Sequence, residues 1–176
     1  MTNAELAILS LITEQPRHGY EIEQVIEERG MRDWTEVGFS SIYYLLKKLE
    51  QAGFIESQLE QTGRGPARKV YRATPAGHTA LQAAVREALS TPAPSYSPLQ
   101  LGLANLPTIP CADAIAALQQ YREQLAGRLK HTRARRRAQQ PLPDFVEVMF
   151  DHSATLIRAE MRWADRTIKR LEERDV

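Results

Sequence analysis

Seven polar side chains between Ser40 and Gln51 have the types and spacing for recognition chemistry. An α-helix turns roughly 100° per residue. With Ser40 at zero, Phe39, Ile42, Leu45, Leu46 and Leu49 fall on an arc of roughly 140° to 260°. Ser40, Ser41, Tyr43, Tyr44, Lys47, Lys48 and Gln51 fall on the other side. One face is hydrocarbon. The opposite arc carries hydroxyls, an amide and two ammonium groups, and no acid. The acids of this region are read as lying elsewhere, at Glu21, Glu23, Glu27, Glu28 and Asp33. A helix entering a DNA groove must offer donors to base edges and keep carboxylates away from phosphates. The same projection also fits a solvated surface helix. A second constellation adds to it: Arg64, Arg68, Lys69 and Arg72 lie in a nine-residue stretch without an acid, and Arg64 stands between Gly63 and Gly65. Alone this is an ordinary turn. Beside the helix it is a local basic footprint of the kind that DNA binding requires.

Other chemistries find little support. His18, His78, His131 and His152 are scattered, and none is paired at ligand spacing with Cys111, so no metal site is expected. Gly63-Arg64-Gly65 lacks the Gly-Lys-Ser/Thr ending of a phosphate loop. Cys111 has no base beside it in sequence, so neither catalysis nor a cofactor is expected. One cysteine makes no internal disulfide. No apolar run approaches a membrane span, and no secretion signal is visible, so a cytoplasmic protein without membrane contact is expected.

The elements that must position these residues follow from periodicity and punctuation. Thr2-Asn3-Ala4-Glu5 reads as a capping box ahead of Leu6, Ile8, Leu9, Leu11 and Ile12, and Gln15-Pro16 closes this first helix. A second helix is predicted over Gly19 to Arg29, stopped by Gly30, and a third from about Gly38 to Ala52. Phe54 to Glu60 and Arg68 to Thr74 read as strands, with Gln61 to Ala67 as the hairpin tip. Thr74-Pro75 starts another helix. Three helices followed by a two-stranded wing is the winged helix-turn-helix order.

Residues 1–90 are therefore read as a winged helix-turn-helix domain and 91–110, with five prolines, as a connector holding a short helical piece around Leu99 to Leu106. Residues 111–176 are read as a helical domain. The fold class is mainly α with a small β-hairpin wing. Net charge is +1 overall, and residues 1–80 carry nine Lys and Arg against eleven Asp and Glu. Positive charge for DNA must then be clustered.

In the last domain Asp113 is expected to cap a helix reaching Ala138, with a stripe of Ile115, Leu118, Tyr121, Leu125 and Leu129. Pro141 and Pro143 break it. A last helix runs from Asp144 to about Glu173, with Phe145, Met149, Leu156, Ala159, Trp163 and Leu171 on one stripe. Two such helices need a further surface for their apolar faces, and a symmetric dimer supplies one. Leu6, Leu118, Leu125, Phe145, Met149, Leu156 and Trp163 are the expected dimer contacts. A dimer also suits two half-sites of a pseudo-palindromic operator about one turn apart. Folding back onto the same chain is the other solution. His152 and Trp163 are open to two readings, effector contacts or packing groups. The basic run Arg128, Lys130, Arg133, Arg135, Arg136 and Arg137 reads either as a solvated helix end or as a further DNA contact.

Three motifs, in order, resemble the PadR family of regulators. His18-Gly19-Tyr20-Glu21-Ile22 resembles the opening of that family's second helix. Ser40 to Glu50, followed by Ala52-Gly53-Phe54-Ile55, resembles its recognition helix and first wing strand. Gly63 to Gly77 resembles its wing and next helix start. Ser40, Ser41 and Tyr44 depart from the glycine or threonine and the proline common there. Pro98-Leu99 to Leu106-Pro107, Leu142-Pro143 and Ala159-Glu160 before Trp163 are similar to the longer branch with a virulence-activator-type C-terminal domain. The resemblance implies a homodimeric repressor of double-stranded DNA, not an enzyme, released by a small and often phenolic effector held near the junction of the domains. A winged-helix protein-interaction module without DNA binding is the alternative.

Overall fold

Thr2 opens the first helix, α1 (Asn3–Glu14), with a complete capping box. Its Oγ1 accepts the Glu5 amide at 3.2 Å, and Glu5 Oε2 accepts the Thr2 amide at 2.7 Å. These contacts satisfy amide groups that a helix start leaves without partners. This is a computed structural model, and it describes residues 1–35, 38, 41–61, 67–92 and 97–173. The chain divides into two units, Met1–Pro94 and Ser95–Val176.

In the first unit, strand β1 (Arg17–His18) follows α1 and leads into α2 (Gly19–Glu28). A 3-10 turn (Met31–Asp33), α3 (Ile42–Gln51), β2 (Ile55–Glu60), β3 (Arg68–Ala73) and α4 (Pro75–Ser90) complete it. The wing is a three-stranded antiparallel sheet in the order β1-β3-β2. Sequence reasoning expected two strands. β1 is two residues long, too short for an alternation to declare itself, and exists through pairing: Arg17 opposes Tyr71 and His18 opposes Val70. The Arg17 guanidinium is buried and donates to Leu11 O at 3.0 Å, tying β1 back to α1.

Core and periodicity agree. Ile8, Leu9, Leu11 and Ile12 of α1 pack with Ile22 and Ile26 of α2, Ile42, Leu45, Leu46 and Leu49 of α3, and Ile55 and Tyr71 of the sheet. Each such side chain fully withdrawn from water contributes about 1.5–3 kcal/mol. Gly53, at φ 74°, turns the chain from α3 into β2 through the left-handed region that favours glycine. Thr74 caps α4 by accepting the Gly77 amide at 3.0 Å, as its sequence suggested.

The second unit holds α5 (Pro98–Ala104), a 3-10 turn (Leu106–Thr108), α6 (Cys111–Ala138) and α7 (Asp144–Glu172). α6 and α7 form an antiparallel pair across Leu125, Leu129, Ala154 and Ile157, with Tyr121 and Met161 at its edge. One expectation is corrected: Asp113 does not cap α6. Pro110 occupies the cap position and Asp113 lies in the first turn, where its charge favours the helix dipole. Among the described residues no helix is long and apolar enough to cross a membrane.

Candidate nucleic-acid interface

The four apolar residues of α3 point into the core, which fixes where the others point. Tyr43 and Tyr44 are 62% and 66% exposed, and Lys47, Lys48 and Gln51 are exposed with them. Ser41 sits at the start of α3; its Oγ donates to Gly38 O at 2.6 Å and caps no helix amide. Ser40 and Arg64 lie outside the described residues.

Tyr43 is not a free surface group. Its ring crosses the first residue of α2, where a Cβ on Gly19 would stand 2.7 Å from Tyr43 Cε1. Glycine at that position lets the ring lie close to the backbone. His18 prepares the same corner. Its Nδ1 accepts the Glu21 amide at 3.2 Å while Glu21 Oε2 accepts the His18 amide at 2.9 Å, a capping box with histidine in the cap position. His18 Nε2 lies 3.3 Å from Arg68 Nη1, so this corner also reaches the wing.

The expectation of an acid-free face is corrected by two carboxylates from off the projected arc. Glu5 Oε1 lies 2.5 Å from Lys48 Nζ. Glu5 is buried, and the Lys48 hydrogen bond, followed by the Thr2 amide, lowers its pKa from the usual carboxylate value; Lys48 is raised in return, chiefly by Glu5. Glu50 Oε2 lies 2.8 Å from Lys69 Nζ, and its Oε1 accepts from Ser57 Oγ. Lys69 chiefly, and Ser57 next, lower the Glu50 pKa, while Lys69 is raised by Glu50. Arg72 Nη2 pairs with Glu60 Oε1 at 2.7 Å. Lys47 has no carboxylate partner among the described residues.

The expected dimer residues fall into two groups. Leu118 and Leu125 are buried within the α6–α7 pair, and Leu6 is half-buried on α1. Phe145, Met149 and Leu156 are exposed on α7, at 69%, 38% and 56%, with His152 exposed beside them and Trp163 half-buried. Within the basic run, Arg136 pairs with Glu147 of α7. Among the described residues no group of His, Cys, Asp and Glu is placed to hold a metal ion.

Glu5, His18, Glu50 and Ser57 were not singled out from sequence as part of this surface. His18 carried a usable signal, the three-residue spacing to Glu21 of a capping box, in a residue type seldom expected there.

Residues 8–83 match the model of the "Transcriptional regulator PadR-like family". An uncharacterised protein of Lysinibacillus sphaericus is 35% identical over 80 residues, 46% of this chain and 72% of that one. In fold the chain is similar to Bacillus subtilis PadR solved in complex with operator DNA, with a TM-score of 0.78 at 19% identity over 95% of this chain and 98% of the other. It is similar also to Bacillus subtilis PadR in complex with p-coumaric acid, with a TM-score of 0.77 at 19% identity over 97% and 99%.

Proposed function

Because the chain belongs to the PadR-like family of transcriptional regulators, we propose that it is a homodimeric, sequence-specific repressor that reads double-stranded DNA with α3 and the wing. The observation that carries this reading is the placement of Tyr43, Tyr44 and Lys47 on the exposed side of α3. Tyrosine hydroxyls supply hydrogen bonds to base edges or phosphates, and Lys47 neutralises a phosphate. Arg68 on β3 extends the same chemistry to the wing, and Ser40, Ser41 and Arg64 are assigned to it from sequence.

Two faces of α7 support the dimer. One, with Ala154, Ile157 and Ala164, is buried against its own chain. The other carries Phe145, Val148, Met149 and Leu156, all exposed. At roughly 100° per residue these sets lie on opposite sides of the helix. An apolar stripe of this extent calls for a partner, and a second copy meets it with the same residues. His152 and Trp163 fall on this outer side and are the first residues to test for a phenolic effector, a class taken from the likeness to Bacillus subtilis PadR. Such a regulator works in the cytoplasm, beside its operator.

A protein-interaction module without DNA binding is the competing reading, favoured by the pairing of Lys48, Lys69 and Arg72 with carboxylates of the same chain. The two separate in one experiment. Full-length protein is used to enrich duplexes from a random-sequence pool, and the enriched duplex is titrated with wild type and Lys47→Glu. Repression chemistry requires enrichment and a loss of at least about tenfold on charge reversal. No enrichment, or unchanged binding by the variant, leaves only the interaction module.

A further inference from the structure

A carboxylate beside a phosphate-binding surface opposes the function of that surface. Glu50, at the last turn of α3, is such a group. It is half-buried and its two oxygens are divided between the two wing strands: Oε1 takes the Ser57 hydroxyl of β2, and Oε2 takes the Lys69 ammonium of β3 at 2.8 Å. Ser57 pairs in register with Tyr71, and Leu59 with Lys69. Since alternate residues share a face of a sheet, Ser57, Lys69 and Tyr71 all belong to the face turned toward α3. Lys69 is held from a second direction by the Tyr71 ring, whose centroid is 5.2 Å from Nζ. Tyr71 is itself a core residue. One side chain therefore makes three anchored elements, α3, β2 and β3, into one corner.

We propose that Glu50 is a positioning residue that sets the wing on the recognition helix, with Lys69 as its strut rather than a phosphate clamp. This inference rests on the DNA-reading function proposed above. A helix in a groove and a wing on the neighbouring backbone contact one duplex together only when the spacing between them matches the DNA. Glu50 fixes that spacing before DNA arrives. The device favours sequences whose shape fits and weakens the general pull on every phosphate. Glu5 makes a parallel contact on the other flank of α3 through Lys48, which leaves Lys47 as the α3 ammonium without a carboxylate partner among the described residues.

The test uses full-length wild type, Glu50→Gln, Lys69→Met, the double variant and Ser57→Ala. Each is titrated against the duplex that wild type enriches from a random pool and against a scrambled duplex of equal length and composition. Glu50→Gln is expected to bind the enriched duplex about three- to tenfold less tightly, since a charged hydrogen bond to the wing is lost. On the scrambled duplex it binds as well as wild type or up to about threefold tighter, one repelling charge having gone. Lys69→Met lowers the same ratio, and the double variant falls no further than the worse single one, as expected of two ends of one contact. Ser57→Ala, a small change unlinked to charge, lowers the ratio as well and guards against misfolding of the Glu50 variant.

Equal tightening of both duplexes by Glu50→Gln would overturn the proposal, making Glu50 a repelling charge only. So would Lys69→Met weakening both duplexes equally while lowering the salt slope by about one, the signature of a phosphate contact. If wild type enriches no duplex, or Lys47→Glu binds like wild type, the DNA reading fails and this inference with it. If Lys47→Glu loses binding while Glu50→Gln keeps the ratio, only this inference fails.

Discussion

Tyr43 of α3 lies across Gly19, the first residue of α2, so closely that a methyl group there would meet the ring at 2.7 Å. Gly19→Ala must therefore rotate an exposed tyrosine. Because the displaced group is the end of a side chain and not backbone, and alanine favours a helix over glycine, the fold should lose less than about 1 kcal/mol. Affinity for the enriched duplex should fall by about tenfold or more, because one pairing with DNA is misplaced. Thermal unfolding and a mobility-shift titration on the same preparation check the two halves; equal affinity would remove Tyr43 from the interface.

Glu5 serves the α1 cap and the Lys48 ion pair with one carboxylate. Its pKa in the folded chain is below the ordinary value of 4.5, chiefly through Lys48. Its contribution to stability is thus fully present above that value and is lost as pH falls through the lower folded one. Glu5→Ala should reduce stability at neutral pH by about 1 kcal/mol, the net contribution of the hydrogen bond that Glu5 accepts from the cap amide. Urea midpoints should show the gap between variant and wild type closing as the pH drops below the carboxylate range. A gap that persists in acid would assign the loss to packing instead.

Lys47 should act on all duplexes alike. Lys47→Met should lower the dependence of log affinity on log salt by about 0.9, one phosphate contact's worth. Lys48→Met should lower it less, because that ammonium already has a carboxylate partner. Titrations at several salt concentrations measure both slopes, and equal slopes would place Lys48 on DNA as well.

Light scattering at micromolar concentration should give twice the 19.9 kDa of the chain. Phe145→Glu combined with Leu156→Glu should return it to the single-chain mass with α-helical circular dichroism unchanged, since neither residue belongs to the α6–α7 core. A single-chain mass for wild type would refute the dimer.

The helices were legible because burial enforces a period. Ile42, Leu45, Leu46 and Leu49 announce both α3 and the direction it faces. Thr2 and Glu5 announce a capping box. What stayed hidden is what depends on a neighbour distant in sequence. β1 exists only against β3, and a projection of α3 alone omits Glu5, which is 43 positions from Lys48. Glu50 lay beside the projected polar arc, but its significance appears only once β2 and β3 place Ser57 and Lys69 against it. On α7 the apolar stripe was visible, but the seam used within the chain is the other side, where Ala154 and Ala164 are too small to stand out.

That seam has a consequence for how such a regulator would respond to its own abundance. α6 and α7 bury Leu125, Leu129, Ala154 and Ile157 against each other inside one chain, so this seam needs no second copy to close. In the proposed dimer, pairing through Phe145 and Leu156 would then be a separate, reversible step, and the concentration of pairs would rise with the square of protomer concentration while copies are few. Promoter occupancy would follow gene dosage steeply, switching over a narrow range of expression instead of tracking it in proportion.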